Sequence, residues 1–89
     1  MSEVTIQKLS EEEINKRGIR QWPIWEKEAS DFDWEYDQTE ECLLLEGKVT
    51  VKTANGEYAF GAGDFVTFVN GLSCHWTIHE DVKKHYNFK

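Results

Sequence analysis

At 89 residues, with a net charge of −7 and a pI near 4.8, the chain is sized for one domain, read over residues 1–89, and is too acidic to compete for phosphate. Nucleic acid and anionic membrane are therefore ruled out as expected partners, and no apolar run approaches the ~20 residues of a membrane span. The opening MSEVTIQKLSEEE lacks a basic region followed by an apolar stretch, so a cytoplasmic protein with reduced thiols is expected.

A domain of this length buries only about 60–70% of the surface its unfolded chain exposes. Four Trp, five Phe and three Tyr compensate. Rings of this kind bury on the order of 150–250 Å² each, which suits a narrow core. A second copy would bury more, and a homodimer is expected through edge strands around Trp22 to Trp25.

Val4 to Leu9 alternates apolar and polar residues and predicts a half-buried edge strand with Val4 and Ile6 on one face. Ser10, followed by Glu13 and an acidic first turn, fits the capping box of a short helix that Gly18 ends. Pro23, the only proline, cannot donate to a ladder and so marks the start of a strand toward Glu28. From Ser30 the alternation is sharp: Phe32, Trp34 and Tyr36 face one way, and Asp31, Asp33, Glu35 and Asp37 face solvent.

Glu40 to Glu46 is the next strand, with Glu40, Cys42 and Leu44 inward, and Gly47 turns it into a strand carrying Val49 and Val51. Asn55-Gly56 is a hairpin signal, because a type I′ turn needs positive φ at both central residues. Tyr58 and Phe60 return the chain to a tight turn at Gly61 to Asp64, and Phe65 to Val69 reads as a buried strand. Ser73 to Ile78 places Cys74, Trp76 and Ile78 on one face and His75 on the other. The last strand, Lys83 to Phe88, opposes Tyr86 and Phe88 to His85 and Asn87.

Two stretches organise this pattern. In the first, Glu40 is followed by six residues and Gly47; in the second, Gly63 is followed by five residues, Val69-Asn70-Gly71, two more residues and Cys74. Together they resemble the paired motifs of the cupins, whose metal is held by a His-x-His pair, a Glu and a later His. The chain is most similar to small single-domain cupins like the cupin domain of ureidoglycine aminohydrolase, with a matching opening at Trp22 to Glu26 and a matching ending at Lys84 to Asn87. The resemblance implies an all-β, antiparallel jelly-roll barrel with at most one short helix near the N-terminus. The four ligand positions carry Trp34, Tyr36, Glu40 and Cys74, so one usual ligand survives.

Three readings of that site follow. Glu40 and Cys74 are candidate catalytic groups that could share a zinc, iron or manganese ion, but a catalytic zinc takes three protein ligands and neither Cys42 nor Tyr36 is a common third. Alternatively, Glu40 is a hydrogen-bonded buried carboxylate and both Cys are small buried hydrophobes. The preferred reading is a metal-free, cofactor-free pocket for a small molecule, walled by Trp34, Tyr36, Cys42 and Trp76 with Glu40 as its polar group. An aminohydrolase- or isomerase-like enzyme using Glu40 as general acid or base is the alternative, and whether the protein is an enzyme is left open. Cysteine chemistry would need a cation, and none is expected inside the barrel.

Overall fold

The computed structural model describes residues 3–89. Among them run seven strands, β1 (Val4–Gln7), β2 (Ile24–Lys27), β3 (Ser30–Glu35), β4 (Glu40–Thr53), β5 (Gly56–Gly61), β6 (Phe65–Phe68) and β7 (Ser73–Phe88). Helix α1 (Glu11–Lys16) and a 3-10 turn (Ile19–Gln21) separate the first two strands.

The long strands β4 and β7 pair antiparallel from Glu40 opposite Phe88 to Lys52 opposite His75. Each half of β4 has a second neighbour, β6 for the first half and β5 for the other. In β7 the corresponding neighbours are β3 and β2, and β1 pairs with the outer side of β6. Both long strands thus pass from one layer (β1-β6-β4-β7-β2) into a second (β5-β4-β7-β3). This is the antiparallel jelly roll expected from the sequence.

The pairs of short strands expected on either side of Gly47, and between Ile78 and Lys83, are continuous bent strands. In β4 the buried side chains change from even positions (Glu40, Cys42, Leu44) to odd ones (Val49, Val51). Such a change needs an extra residue, and register shifts between Leu44 and Val49 supply it. Gly47 has φ 113, and a Cβ there would lie 2.8 Å from the Asp81 carbonyl oxygen and 2.9 Å from Val82 Cγ2. Only glycine lets the two paired strands approach this closely at the bulge.

Ser10 caps α1 as the spacing predicts, its Oγ accepting from Glu13 N–H at 3.2 Å, but the Glu13 carboxylate turns instead to Arg17 at 3.1 Å. Half of the capping box forms. The helix and the 3-10 turn lay Ile14 and Ile19 over Leu43 and Phe65, on the outward face of β4 and β6, and so build a second small core. Trp22 joins it, packing 6.4 Å from Phe65. His85 faces away from the barrel interior, as the alternation of the last strand predicts, and this segment buries it there, with Nδ1 2.9 Å from the Trp22 carbonyl oxygen.

The main core lies between the layers. Phe68 and Val66 are fully enclosed, Tyr36 stacks on Phe68 at 4.9 Å, and Trp76 packs 5.6 Å from the same ring. Val4 belongs to this core, but Ile6 remains 39% exposed because β1 is an edge strand. The carboxylates of β3 face solvent as the alternation requires. Asp31 and Asp33 flank His75 there, with Asp33 Oδ1 2.8 Å from Nδ1.

Candidate functional site

Inward positions at one end of the barrel leave a cavity of about 340 Å³. β3 and the residue just after it contribute Phe32, Trp34 and Tyr36; β2 contributes Trp25; β4 contributes Glu40; and β7 contributes Trp76, Lys84, Tyr86 and Phe88. The walls are aromatic because three strands present alternate rings to one space. Trp34 and Phe88, 49% and 43% exposed, are the more open of these rings. Larger depressions of about 520 and 590 Å³ lie along Glu26, Lys27, Asp81 and Lys83 and beside the β4–β5 hairpin, but both are open grooves in which no enclosed polar group converges.

Two charges are enclosed at the cavity. Glu40 and Lys84 are 4% exposed each, with Nζ donating to Glu40 Oε2 at 3.1 Å. The ammonium also lies 4.9 Å from the Trp25 ring centre and 4.8 Å from that of Trp76. Desolvated cation–π contacts of this sort are worth on the order of 1–2 kcal/mol each. Among the described residues Glu40 is the one hydrogen-bond partner of Lys84, leaving two of its three N–H donors without an oxygen or nitrogen acceptor.

Sequence reasoning placed no cation in the barrel, and Lys84 corrects that. Its signal was present, since Lys84 lies two residues before Tyr86 on the same face of β7. The register does not pair it with Glu40, since Lys84 opposes Leu44 and Glu40 opposes Phe88, four positions further along β4. The two long side chains close that distance along the inward face, to 3.1 Å between Nζ and Oε2.

The remaining proposed site residues divide into two groups. Trp34, Tyr36, Glu40 and Trp76 line the cavity, whereas Cys42 and Cys74 are packed into the core beside it and do not line it. Both thiols are free. Burial pushes Cys42 up to about 12, against the pull of the Lys84 charge, and pushes Cys74 up to about 11. Neither is a thiolate near neutral pH. Burial first, and the Glu40 charge second, also raise the Tyr36 phenol above its ordinary value, so it stays protonated. The Trp76 indole N–H leans toward the Tyr36 hydroxyl and the Cys74 thiol, enough to oppose the rise in both, yet neither meets it at hydrogen-bonding geometry. It is a buried donor without a partner, a rare condition in a folded protein.

This donor set does not fit a transition metal. Among the described residues no three His, Cys, Asp or Glu side chains come together to hold an ion. The one carboxylate at the cavity already faces an ammonium, whose positive charge occupies the place a cation would take beside Glu40. His75 and His85 point away from the cavity, to the carboxylates of β3 and to the Trp22 carbonyl.

An antiparallel jelly roll with one such end cavity is a cupin. Residues 14–86 match the EutQ-like cupin domain, and the chain belongs to that family. A DUF861 family protein from Thermotoga maritima is similar over nearly the whole chain, with 50% identity, a TM-score of 0.95, and coverage of 98% of this chain and 100% of that one. The Clostridium difficile EutQ protein shares the fold at 14% identity and a TM-score of 0.67, over 73% of this chain and 52% of that one, so the match spans about half of its length. A putative ethanolamine utilization protein Q from Salmonella typhimurium does so at 19% identity and a TM-score of 0.67, over 96% and 68%. No curated protein matches the chain.

Proposed function

We propose that this cupin binds a small molecule without a metal or other cofactor, in the cavity enclosed by Trp25, Trp34, Tyr36 and Trp76. The observation that carries the reading is the buried Glu40–Lys84 pair in an otherwise aromatic space. Apolar walls with a few convergent polar groups are the usual make-up of a ligand site. The ligand is flat and apolar over most of its surface, to lie against the rings, with one polar end. Hydrogen-bond donors outnumber acceptors at that end, since Lys84 keeps two free N–H groups, so the ligand presents a carbonyl or carboxyl oxygen.

Titration with benzamide and benzoate, followed by NMR of the tryptophan indole N–H signals, tests this. Saturable shifts at Trp25 and Trp76 are expected, weakened at least tenfold by Lys84→Met. Absence of any saturable shift at millimolar concentration rules the pocket out. The metal-free part is tested by elemental analysis of protein purified without chelators or immobilised nickel. Near-stoichiometric zinc, iron or manganese that disappears in Glu40→Gln would overturn it.

The 3.1 Å contact between a carboxylate and an ammonium also supports an enzymatic reading. A group pair that can pass a proton suits an aminohydrolase- or isomerase-like reaction, as the likeness to the ureidoglycine aminohydrolase cupins suggests, with Glu40 as general acid or base. Turnover lost in Glu40→Gln while binding persists would place that reading first.

A further inference from the structure

Lys84 differs from every other lysine of the chain in its surroundings. Its side chain is 5% exposed, and its Nζ meets two indole faces and one carboxylate rather than water. A buried ion pair is a poor source of stability, because hydrophobic side chains of similar size often serve as well. What this pair does supply is a primary amine and a proton carrier 3.1 Å apart in the wall of an apolar cavity. The carboxylate and the rings hold the amine as its ammonium, but a desolvated lysine that hands its proton to a neighbouring carboxylate becomes a nucleophile toward carbonyl carbon.

We propose that Lys84 forms an imine with a small aromatic or aliphatic aldehyde admitted to the cavity. The proposal rests on the cavity being a ligand site and names the class of ligand. Glu40 first takes a proton from the Lys84 ammonium, leaving a neutral amine and a neutral carboxylic acid. The Nζ lone pair then attacks the carbonyl carbon, and a proton passes from nitrogen to the former carbonyl oxygen to give a carbinolamine. Glu40 returns its proton to that hydroxyl, which leaves as water while the nitrogen lone pair closes the C=N bond. The product is a protonated imine beside an ionised Glu40, so the charge of the pair is unchanged. The aromatic walls exclude the bulk water that would hydrolyse it, and Trp25 and Trp76 face its positive charge as they face the ammonium.

The test uses the full chain with benzaldehyde and sodium cyanoborohydride near neutral pH, read by peptide mapping. Reduction fixes an imine as a secondary amine, adding the aldehyde's mass less one oxygen. Lys84 is expected to be labelled at least ten times faster than any surface lysine, and Glu40→Gln to slow it about a hundredfold, as loss of a general acid–base group does. Lys84→Arg keeps a cation opposite Glu40 and removes the amine, so it should fold and lose the cavity label. Benzyl alcohol, of similar shape but without a carbonyl, is titrated in parallel against the indole N–H signals. If it shifts Trp25 and Trp76 while benzaldehyde labels surface lysines as fast as Lys84, the imine is overturned and the pocket stands. If benzyl alcohol causes no shift and Lys84 is unlabelled, both readings fall.

Discussion

Among the described residues Glu40 and Lys84 are each the one buried counter-charge the other has, which makes their removal unequal in cost. Truncating one leaves a buried charge uncompensated, at about 3–5 kcal/mol, whereas replacing both by apolar groups is often close to neutral. Lys84→Met and Glu40→Leu are each expected to lower stability by about 3 kcal/mol or more in guanidinium unfolding, and the double variant to recover most of the loss. Single variants within about 0.5 kcal/mol of the parent would mean that water reaches the pair. Cys42 makes a second residue-scale prediction. Its folded pKa, raised by burial from 9.0 to about 12, means that both states hold the proton below pH 9 and the thiol's contribution is complete there. As pH rises beyond that, the unfolded chain ionises first, and stability is lost progressively toward the folded value. Unfolding midpoints measured from about pH 8 to pH 11 should therefore fall less steeply in Cys42→Ala than in the parent. Equal slopes would sink the assignment.

At the scale of elements, the close approach of β4 and β7 at the bulge depends on Gly47. A side chain there meets the Asp81 carbonyl and Val82 at under 3 Å and must also adopt φ 113, so clash and backbone strain add. Gly71 has φ 88 but nothing within 4 Å of a Cβ, and isolates the strain alone. Gly47→Ala is expected to cost about 3 kcal/mol or more and Gly71→Ala about 1 kcal/mol. Equal losses would show that the close approach does not matter. The α1 segment supplies a different element-scale effect, because its apolar face covers the outside of the sheet. Ile19, fully buried there, is expected to lose about 2–4 kcal/mol on truncation to Ala, with amide exchange rising at Leu43 and Phe65.

For the whole molecule, the aromatic content is used inside the protomer. Trp22 closes the second core and Trp25 walls the cavity, so in the Trp22–Trp25 stretch the large apolar side chain left open is Ile24, 48% exposed on the edge strand β2. The homodimer proposed for this protein would pair that edge with its copy. Sedimentation at micromolar concentration is expected to show a species of twice 10.4 kDa that reverts to 10.4 kDa in Ile24→Lys. A 10.4 kDa species alone in the parent rules it out. The described residues contain no helix long and apolar enough to cross a membrane.

The sequence by itself determined which residues face inward along each strand, because period-two alternation is a local property of an extended chain. Phe32 and Tyr36, Cys42 and Leu44, and Trp76 and Ile78 were all legible in this way, as was the cap at Ser10. The hairpin was legible but its turn was not: Thr53 pairs with Gly56, so the loop is Ala54-Asn55, one residue earlier than expected, and no non-glycine residue among those described has positive φ, which excludes the type I′ turn. The motif spacing added the jelly roll. What alternation cannot supply is which inward residues meet, since partners on β4 and β7 are 44 positions apart at the Glu40–Lys84 contact. Strand pairing decides which strands lie side by side, and the reach of the buried side chains decides the rest: Lys84 opposes Leu44, yet its ammonium extends along β4 to Glu40. The same limit hid the second core. The cap and stop of α1 are legible in its sequence, but only the folded chain lays Ile14 over Leu43 and Phe65. A lysine two residues before an inward tyrosine is ordinary in a list of residues, and becomes a site when tertiary packing removes its water and leaves it one carboxylate.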